Sequence, residues 1–306
     1  MKKELLFELR SAHRDNLRVH GYRFGNGEKT LAIVGSLRGD ELQQLYIASQ
    51  ITKALSRLEK EGKILDGKEV LIIPSINNYS LNIGKRYWGL DNTDINRMFP
   101  GYDKGETTQR IAERLFNTVK DYKYGINLTS FYMDGSFSPH IRTYKTGLED
   151  LESAKSFGFK YIYLREPTPQ ESATLNYNWQ VWGTKAYSVY VGHSEYINIV
   201  HSNEVVNAVL RFLKSENVID EKVDNGYLSE IILDSDIVNV QAEYAGIFVK
   251  VKIIGDYVSK NDVLAEIIDP HTGETLSTIL SPINGRVLYS HSNAIIFQRK
   301  IAFMVV

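Results

Sequence analysis

Two periods of hydrophobic and polar positions alternate along the first two thirds of the chain. Short continuous apolar runs, such as LAIVG at 31–35, are typical of strands buried on both faces of a sheet. Apolar residues at spacings of three and four, as from Leu42 to Leu58, indicate an amphipathic helix that Asp40 is placed to cap. The patterns predict strands at 4–10, 17–24, 31–35, 69–74, 124–128, 160–164 and 186–192, and helices at 42–58, 107–122 and 203–216. Strands that alternate with helices predict an α/β sandwich around a largely parallel or mixed sheet.

Residues 75–104 interrupt this alternation. The stretch is rich in Asn, Gly and Tyr and has no clear periodicity. Long irregular loops inside compact domains are usually functional or disordered, and the arginines and aromatic residues of this one favour an ordered loop. We therefore expect it to contribute to a functional site.

The character of the chain changes after 218–226. Short apolar runs separated by glycines at 246, 255, 273 and 285 predict a small all-β barrel or sandwich. Their order resembles the hammerhead fold of biotinyl and lipoyl modules, but the hairpin at 269–274 has no lysine, so a carrier role is not expected. The pattern predicts a first domain at 1–222 and a β module at 223–306.

Composition narrows the range of partners. The 306 residues include 36 Lys and Arg against 37 Asp and Glu, so the net charge of -1 provides no overall field for nucleic acid or an anionic membrane. There is no Cys, which excludes cysteine-based zinc and nucleophile sites. The apolar run before Glu8 is too short for a signal peptide or a membrane span. We expect a cytoplasmic protein with small-molecule or protein partners.

An ordered set of motifs gives the chain a family resemblance. GSLRGDE at 35–41 is followed by DINRMFPG at 94–101, GINLTS at 125–130 and SVYVG at 188–192, and then by the β module. This series is similar to that of the succinylglutamate desuccinylase and aspartoacylase family. The resemblance implies a zinc-carboxypeptidase-like α/β/α sandwich with a mixed sheet, and an activity in which one zinc ion hydrolyses the amide bond of N-acyl amino acids.

The resemblance also implies which positions would hold the metal and the base. Glu41 matches the family's Glu ligand, but Arg38 stands at the first His ligand, Thr129 at the second and Tyr190 at the catalytic Glu. A catalytic zinc is normally held by three protein ligands, and a guanidinium cannot become a ligand. Tyr is a poor base at neutral pH. We therefore expect no cofactor, and an ion pair between Arg38 and Glu41 in place of the metal.

The residues that the resemblance assigns to substrate binding are present. Arg86, Asn96 and Arg97 match the family positions that hold the substrate's carboxylates, and an Arg fork suits bidentate carboxylate binding. We expect a cleft for a carboxylate-bearing ligand, such as an acylated amino acid or a peptide C-terminus. The leading hypothesis is a non-catalytic binding or regulatory paralogue, paired with an active relative or with itself.

Three alternatives remain open. The first is an amide hydrolase that uses a relocated zinc, held by Glu41 with His140 or His193, or metal-free chemistry at Arg38 and Tyr190. The second is a purely structural protein whose cleft has no ligand. In the third, Arg38 and Glu41 form only a solvated salt bridge, and Asn96 only shapes its loop.

Overall fold

The computed structural model of the chain describes residues 1–11, 13, 15–131 and 134–306. The strands of the first part are β1 (Lys2–Leu9), β2 (Leu17–Gly25), β3 (Gly27–Ser36), β4 (Gly67–Ser75), β5 (Tyr124–Thr129), β6 (Gly135–Tyr144), β7 (Tyr161–Arg165) and β8 (Lys185–Gly192). The helices are α1 (Leu42–Lys60), α2 (Asn78–Asn82), α3 (Thr107–Val119), α4 (Leu151–Lys155), α5 (Leu175–Val181) and α6 (Ile199–Ser215). The later strands are β9 (Glu230–Leu233), β10 (Val238–Gln241), β11 (Gly246–Lys250), β12 (Tyr257–Val258), β13 (Val263–Ile268), β14 (Thr275–Leu280), β15 (Gly285–His291), β16 (Ile295–Ile296) and β17 (Ile301–Val305).

The strands form one large mixed sheet and one smaller antiparallel sheet. The main path of the large sheet runs β1-β2-β4-β3-β5-β8-β6-β15-β17-β10. Within it β3 is parallel to β4 and β5, and β5 is parallel to β8, whereas β2 and β6 run antiparallel to their neighbours β4 and β8. The smaller sheet has the order β14-β13-β11-β16. The predicted α/β class with a mixed sheet is confirmed.

Helices cover both faces of the central strands. Alternate residues of β3 belong to two different hydrophobic cores: Leu31 and Ile33 pack on the side of α1 and α6, and Ala32 and Val34 pack on the side of α3 and α5. Since successive side chains of a strand point to opposite faces, a strand covered on both sides must be apolar at every position. This requirement explains the continuous run at 31–35.

The C-terminal strands continue the large sheet. Strand β15 pairs antiparallel with β6, and Tyr289 lies opposite Phe137 in that register. Both rings belong to one small buried core. A closed C-terminal barrel is not confirmed, because β10, β15 and β17 extend the main sheet and only β11, β13, β14 and β16 form a separate one. The domain boundary at 222/223 stays a prediction; it falls between α6 and β9.

The patterns missed several elements. Strand β6 was not predicted because its sequence, GSFSPHIRTY, is polar and contains a proline, which counts against a strand in the interior of a sheet. Helix α5 was not predicted either. The loop at 75–104 is mostly irregular, with α2 and a short 3-10 turn at Ile95–Arg97. None of the helices in the described ranges combines the length and apolar character that a membrane crossing requires.

Candidate functional site

The candidate site lies where the carboxyl ends of three parallel strands meet. The loop that follows β3 carries Arg38 and Glu41, β5 ends at Thr129, and β8 carries Tyr190 close to its end. Ligands of open α/β sheets bind at such edges. The walls of a cavity of about 290 Å³ at this edge are formed by Arg38, Arg86, Tyr87, Asp94, Asn96, Arg97, Asn127, Thr129, Ser130, Phe131, Arg142, Tyr144, Arg165, Glu171, Thr174, Asn176, Ser188 and Tyr190.

Arg38 is buried and bridges two carboxylates. Its Nη1 donates to Oε1 of Glu41 at 2.9 Å, and its Nη2 donates to Oδ2 of Asp94 at 2.9 Å. Its Nε also donates to the Asp94 carboxylate, at 3.1 and 3.2 Å to the two oxygens. Only 4% of Arg38 is exposed, so this ion pair is not a solvated surface bridge. The sequence predicted the contact with Glu41 but not the contact with Asp94.

Glu41 is fully buried, and its oxygens already have donors. Oε2 accepts from the backbone N–H groups of Leu37 and Arg38, both at 3.0 Å. Oε1 accepts from the N–H and hydroxyl of Ser130, at 3.0 and 2.8 Å, in addition to Arg38. Because a carboxylate offers about four lone-pair sites, these five donors leave it little capacity for a metal ion.

The residues at the implied zinc position do not fit a zinc ion. Nη1 of Arg38 lies 2.9 Å from Glu41 Oε1 and donates to Thr129 Oγ1 at 3.3 Å, so a positively charged nitrogen bridges the two side chains that would hold the metal. Structural and catalytic zinc ions take neutral His nitrogens, thiolates and carboxylates as ligands. A guanidinium and an alcohol do not supply such a set.

Asp94 forms the second ion pair of Arg38. Burial acts to raise the pKa of the Asp94 carboxyl, but the charge and hydrogen bonds of Arg38 outweigh it and hold that pKa below its ordinary value. Asp94 Oδ1 also accepts from the backbone N–H of Asn96 at 3.0 Å and so caps the 3-10 turn. The loop at 75–104 is thereby fixed against Arg38.

The three predicted carboxylate-binding residues have different surroundings. Arg86 donates to Asp40 at 2.7 Å, and burial raises the pKa of Asp40 more than this ion pair lowers it. The prediction that Asp40 caps α1 is wrong, because the residue at the cap position is Glu41. The side chain of Glu41 makes no capping hydrogen bond there. Asn96 accepts from the N–H of Leu175 at the start of α5. Among the described residues, the side chain of Arg97 donates only to the carbonyl of Asn96, at 2.8 Å.

Two further arginines of the cavity wall were missed by the sequence analysis. Arg165 pairs with Glu171, from Nε to Oε1 at 2.8 Å. Arg142, on β6, is 2% exposed, and its side chain makes no hydrogen bond or ion pair with any residue in the described ranges; its guanidinium carbon lies 4.0 Å from the centre of the Tyr190 ring. No motif pointed to Arg142, because the polar sequence of β6 did not predict the strand that carries it.

His140 and His193 do not assemble a metal site with Glu41. The ring of His140 stacks on Tyr190, its Nδ1 lies 2.8 Å from the carbonyl of Ser138, and burial together with Arg142 lowers its pKa to about 3. His193 lines a second cavity beside Asp40. Across residues 1–11, 13, 15–131 and 134–306, no group of three or more His, Cys, Asp and Glu side chains is arranged to hold a metal ion.

Comparison with known proteins places these residues in a family context. Residues 27–128 match the model of the succinylglutamate desuccinylase/aspartoacylase catalytic domain. One curated relative, the N-alpha-acetyl-L-2,4-diaminobutyric acid deacetylase of Halomonas elongata, is 24% identical over 141 residues. That match spans 44% of this chain and 40% of the relative's own length. These matches support the family that the motifs suggested.

Solved structures of similar shape cover the whole chain. A succinylglutamate desuccinylase from a Silicibacter species superimposes with a TM-score of 0.83 at 18% identity, over 99% of this chain and 94% of that one. The product-bound ectoine utilization protein EutE (DoeB) from Ruegeria pomeroyi gives 0.82 at 19% identity, over 99% and 94%. At this level of identity the likeness shows the fold and not the function.

Proposed function

We propose that this chain is a divergent member of the succinylglutamate desuccinylase/aspartoacylase family in which Arg38 takes the place of the zinc ion. It binds a small carboxylate-bearing ligand, such as an acylated amino acid or a peptide C-terminus, and does not hydrolyse it by the family's zinc-dependent route. Its role is that of a binding or regulatory relative of the active enzymes.

The bridge made by Arg38 is the observation that carries the proposal. A zinc site needs deprotonated ligands that attract a cation, whereas a buried guanidinium repels one and cannot lose its proton. Arg38 also supplies Glu41 and Asp94 with a shared buried positive charge that does not come from a metal. Tyr190, at the position of the family's base, stacks on Arg142 and His140, which suits a packing role better than proton transfer.

The charge of the cavity supports an acidic ligand. Its wall carries the guanidinium groups of Arg38, Arg86, Arg97, Arg142 and Arg165. The four carboxylates of Glu41, Asp94, Asp40 and Glu171 form ion pairs with three of them, whereas Arg97 and Arg142 form none in the described part of the chain. The charge of Arg97 contributes to the lowered pKa of Asp94, so the five guanidinium groups exceed these four carboxylates by one positive charge. A volume of about 290 Å³ lies at the small end of ligand pockets, which favours a metabolite over a long peptide.

Hydrolysis is the competing function, because similar proteins carry the names of a deacetylase and a desuccinylase. In its metal-free form Arg38 would polarise a carbonyl while Tyr190 supplied a proton. That form requires an Arg38 whose donors reach the substrate, but its Nη1, Nη2 and Nε are all directed at Glu41, Asp94 and Thr129.

Binding and turnover measured on the same sample separate the two functions. Purified protein is supplied with zinc and with N-acetylglycine, N-acetylaspartate and the corresponding succinyl amino acids, and release of the free amino acid is followed beside calorimetric binding. We expect saturable binding of at least one acid without turnover. Turnover that disappears in Arg38→Ala and Tyr190→Phe would establish the metal-free hydrolase, and turnover that a chelator removes would establish a zinc enzyme.

A further inference from the structure

Arg142 is the one arginine of the cavity wall that is both buried and unpaired among the described residues. Its guanidinium lies 4.0 Å from the ring centre of Tyr190, 4.8 Å from that of Tyr163 and 5.3 Å from that of Phe131. Its Nε has neither solvent contact nor a hydrogen-bond partner. Only 2% of the residue is exposed, while the residue lines the cavity.

A buried charge without a counter-ion is unfavourable for the folded protein. The aromatic faces around Arg142 offset part of that cost, because a desolvated cation over a ring is attracted by the ring's quadrupole. The planar donor fork, however, is left without an acceptor. A buried or half-buried guanidinium usually pairs with a carboxylate of the chain. The same cavity wall shows this arrangement at Arg38, Arg86 and Arg165.

Neutral polar groups of the same cavity wall are unpaired as well. Asn176, 1% exposed, has no partner in the described residues for either its amide nitrogen or its amide oxygen. Oδ1 of Asn127, also 1% exposed, lacks a donor in the same part of the chain. Buried polar groups in native proteins are normally hydrogen-bonded, so a cluster of unpaired ones around one cavity indicates partners that a bound molecule supplies.

We infer that Arg142 binds the acidic group of the ligand and that Asn176 binds an amide next to it. The inference rests on the proposed function and names a residue that the family motifs do not assign. A free primary amide can donate to a ligand carbonyl and accept from a ligand N–H, and the Arg142 fork can donate to both oxygens of a carboxylate. The ligand is therefore a small acid that also carries an amide group, and Arg142 sets the specificity for its charge.

Three probes and three variants test this assignment by calorimetry. N-acetylglycine carries a carboxylate next to an amide, N-acetylglycinamide carries the amide alone, and N-acetylaspartate adds a second carboxylate. We expect Arg142→Gln to weaken binding of both acids about 10- to 100-fold, as expected for loss of charge-assisted hydrogen bonds, and to leave the weak binding of the neutral probe unchanged. Arg114→Gln, which removes an exposed arginine of α3, is the matched control and should bind like the wild type.

Melting without ligand provides an independent readout. A structural arginine stabilises the fold, so its removal lowers the melting temperature. A ligand-binding arginine that is buried without a counter-ion destabilises the fold. If Arg142 is such a residue, Arg142→Gln should melt at or above the wild-type temperature in the absence of ligand. Addition of N-acetylglycine should raise the melting temperature of the wild type but not that of Arg142→Gln.

The outcomes test the assignment of Arg142 and the proposed function separately. If Arg142→Gln binds the acids as tightly as the wild type, the assignment of Arg142 is wrong and the proposed function stands. If the wild type binds none of the acids, both are wrong. If Arg142→Gln does not fold, Arg142→Lys replaces it: it keeps the charge but loses the fork, so weaker binding of the acids supports the assignment and unchanged binding overturns it.

Discussion

At the scale of single residues, Arg38 sets the chemistry of this site. Three of its nitrogens contact Glu41, Asp94 and Thr129, so one side chain joins the corner after β3, the loop at 75–104 and the end of β5. The sequence predicted the pair with Glu41 because the two lie three residues apart. It could not predict Asp94, which is fifty-six positions away and reaches Arg38 only through an irregular loop.

Removal of Arg38 should be costly at neutral pH. In Arg38→Met, the carboxylates of Glu41 and Asp94 lose their buried counter-ion, and we expect a loss of roughly 3–5 kcal/mol in the free energy of unfolding. Urea unfolding at pH 7 measures it. Arg57→Met, which removes an exposed arginine paired with Glu61, is the control and should cost less than about 1 kcal/mol.

The same variant has a defined pH dependence. The pKa of Asp94 is lowered in the native protein, so its ion pair stabilises the fold above the unfolded pKa of about 4 and is lost as the pH falls through the lowered value. In Arg38→Met the Asp94 carboxylate loses its partner and takes up a proton more readily, which lowers the cost of its burial. The difference between wild type and variant should therefore narrow from pH 7 to pH 4; an equal difference at both pH values would argue against a metal-like role for Arg38.

At the scale of elements, β6 brings together residues that no sequence motif connects. His140 and Arg142 are two positions apart, so they share one face of the strand, and both contact the ring of Tyr190 on the neighbouring strand β8. The predicted elements were those with strong periodicity, such as α1, α3 and β3. A strand whose polar residues line a cavity has no such period, and β6 was missed for that reason.

His140 should make the fold sensitive to mild acid. Burial and the charge of Arg142 lower its pKa to about 3, whereas the unfolded chain has the ordinary value near 6.5. From pH 7 to pH 5 the unfolded state therefore gains a proton that the native state does not, and stability falls. For this group alone the loss is about 2 kcal/mol.

Substitution of His140 isolates that contribution. We expect His140→Phe, which keeps a ring against Tyr190, to flatten the decrease in the free energy of unfolding from pH 7 to pH 5 by about 2 kcal/mol. The same measurement on His201→Phe provides a comparison, because burial lowers the pKa of His201 as well. A slope in His140→Phe that equals the wild-type slope would mean that His140 takes up its proton at the same pH in the folded and unfolded states.

At the scale of the whole molecule, the fold is similar to that of solved structures over nearly the whole chain. The central strands and the helices on both sides of the sheet follow from the apolar periods and were largely predictable, because burial on both faces of a sheet imposes a pattern that any sequence must obey. The junction of β15 with β6 was not predictable from local pattern, since pairing between distant strands depends on the whole chain. The same holds for the ion pairs that balance the charges of the cavity.

The family resemblance predicted the positions at the edge of the sheet better than the roles of the substrate-binding arginines. Motif positions gave Arg38, Glu41, Thr129 and Tyr190, which lie together at one edge of the sheet. The resemblance assigned Arg86 and Arg97 equal roles, but Arg86 has its own carboxylate in Asp40 and Arg97 has none among the described residues. Only the three-dimensional arrangement separates a balanced arginine from one that is available to a ligand.

Zinc content is the most direct test of the claim that Arg38 replaces the metal. The wild-type protein and the variant Arg38→His/Thr129→His are incubated with zinc, dialysed extensively and analysed for the element. We expect almost no zinc in the wild type and bound zinc in the variant, because the two His residues supply neutral nitrogen ligands and Glu41 Oε1 is released from Arg38 Nη1. One tightly held zinc per wild-type chain would contradict the account and make amide hydrolysis the leading function.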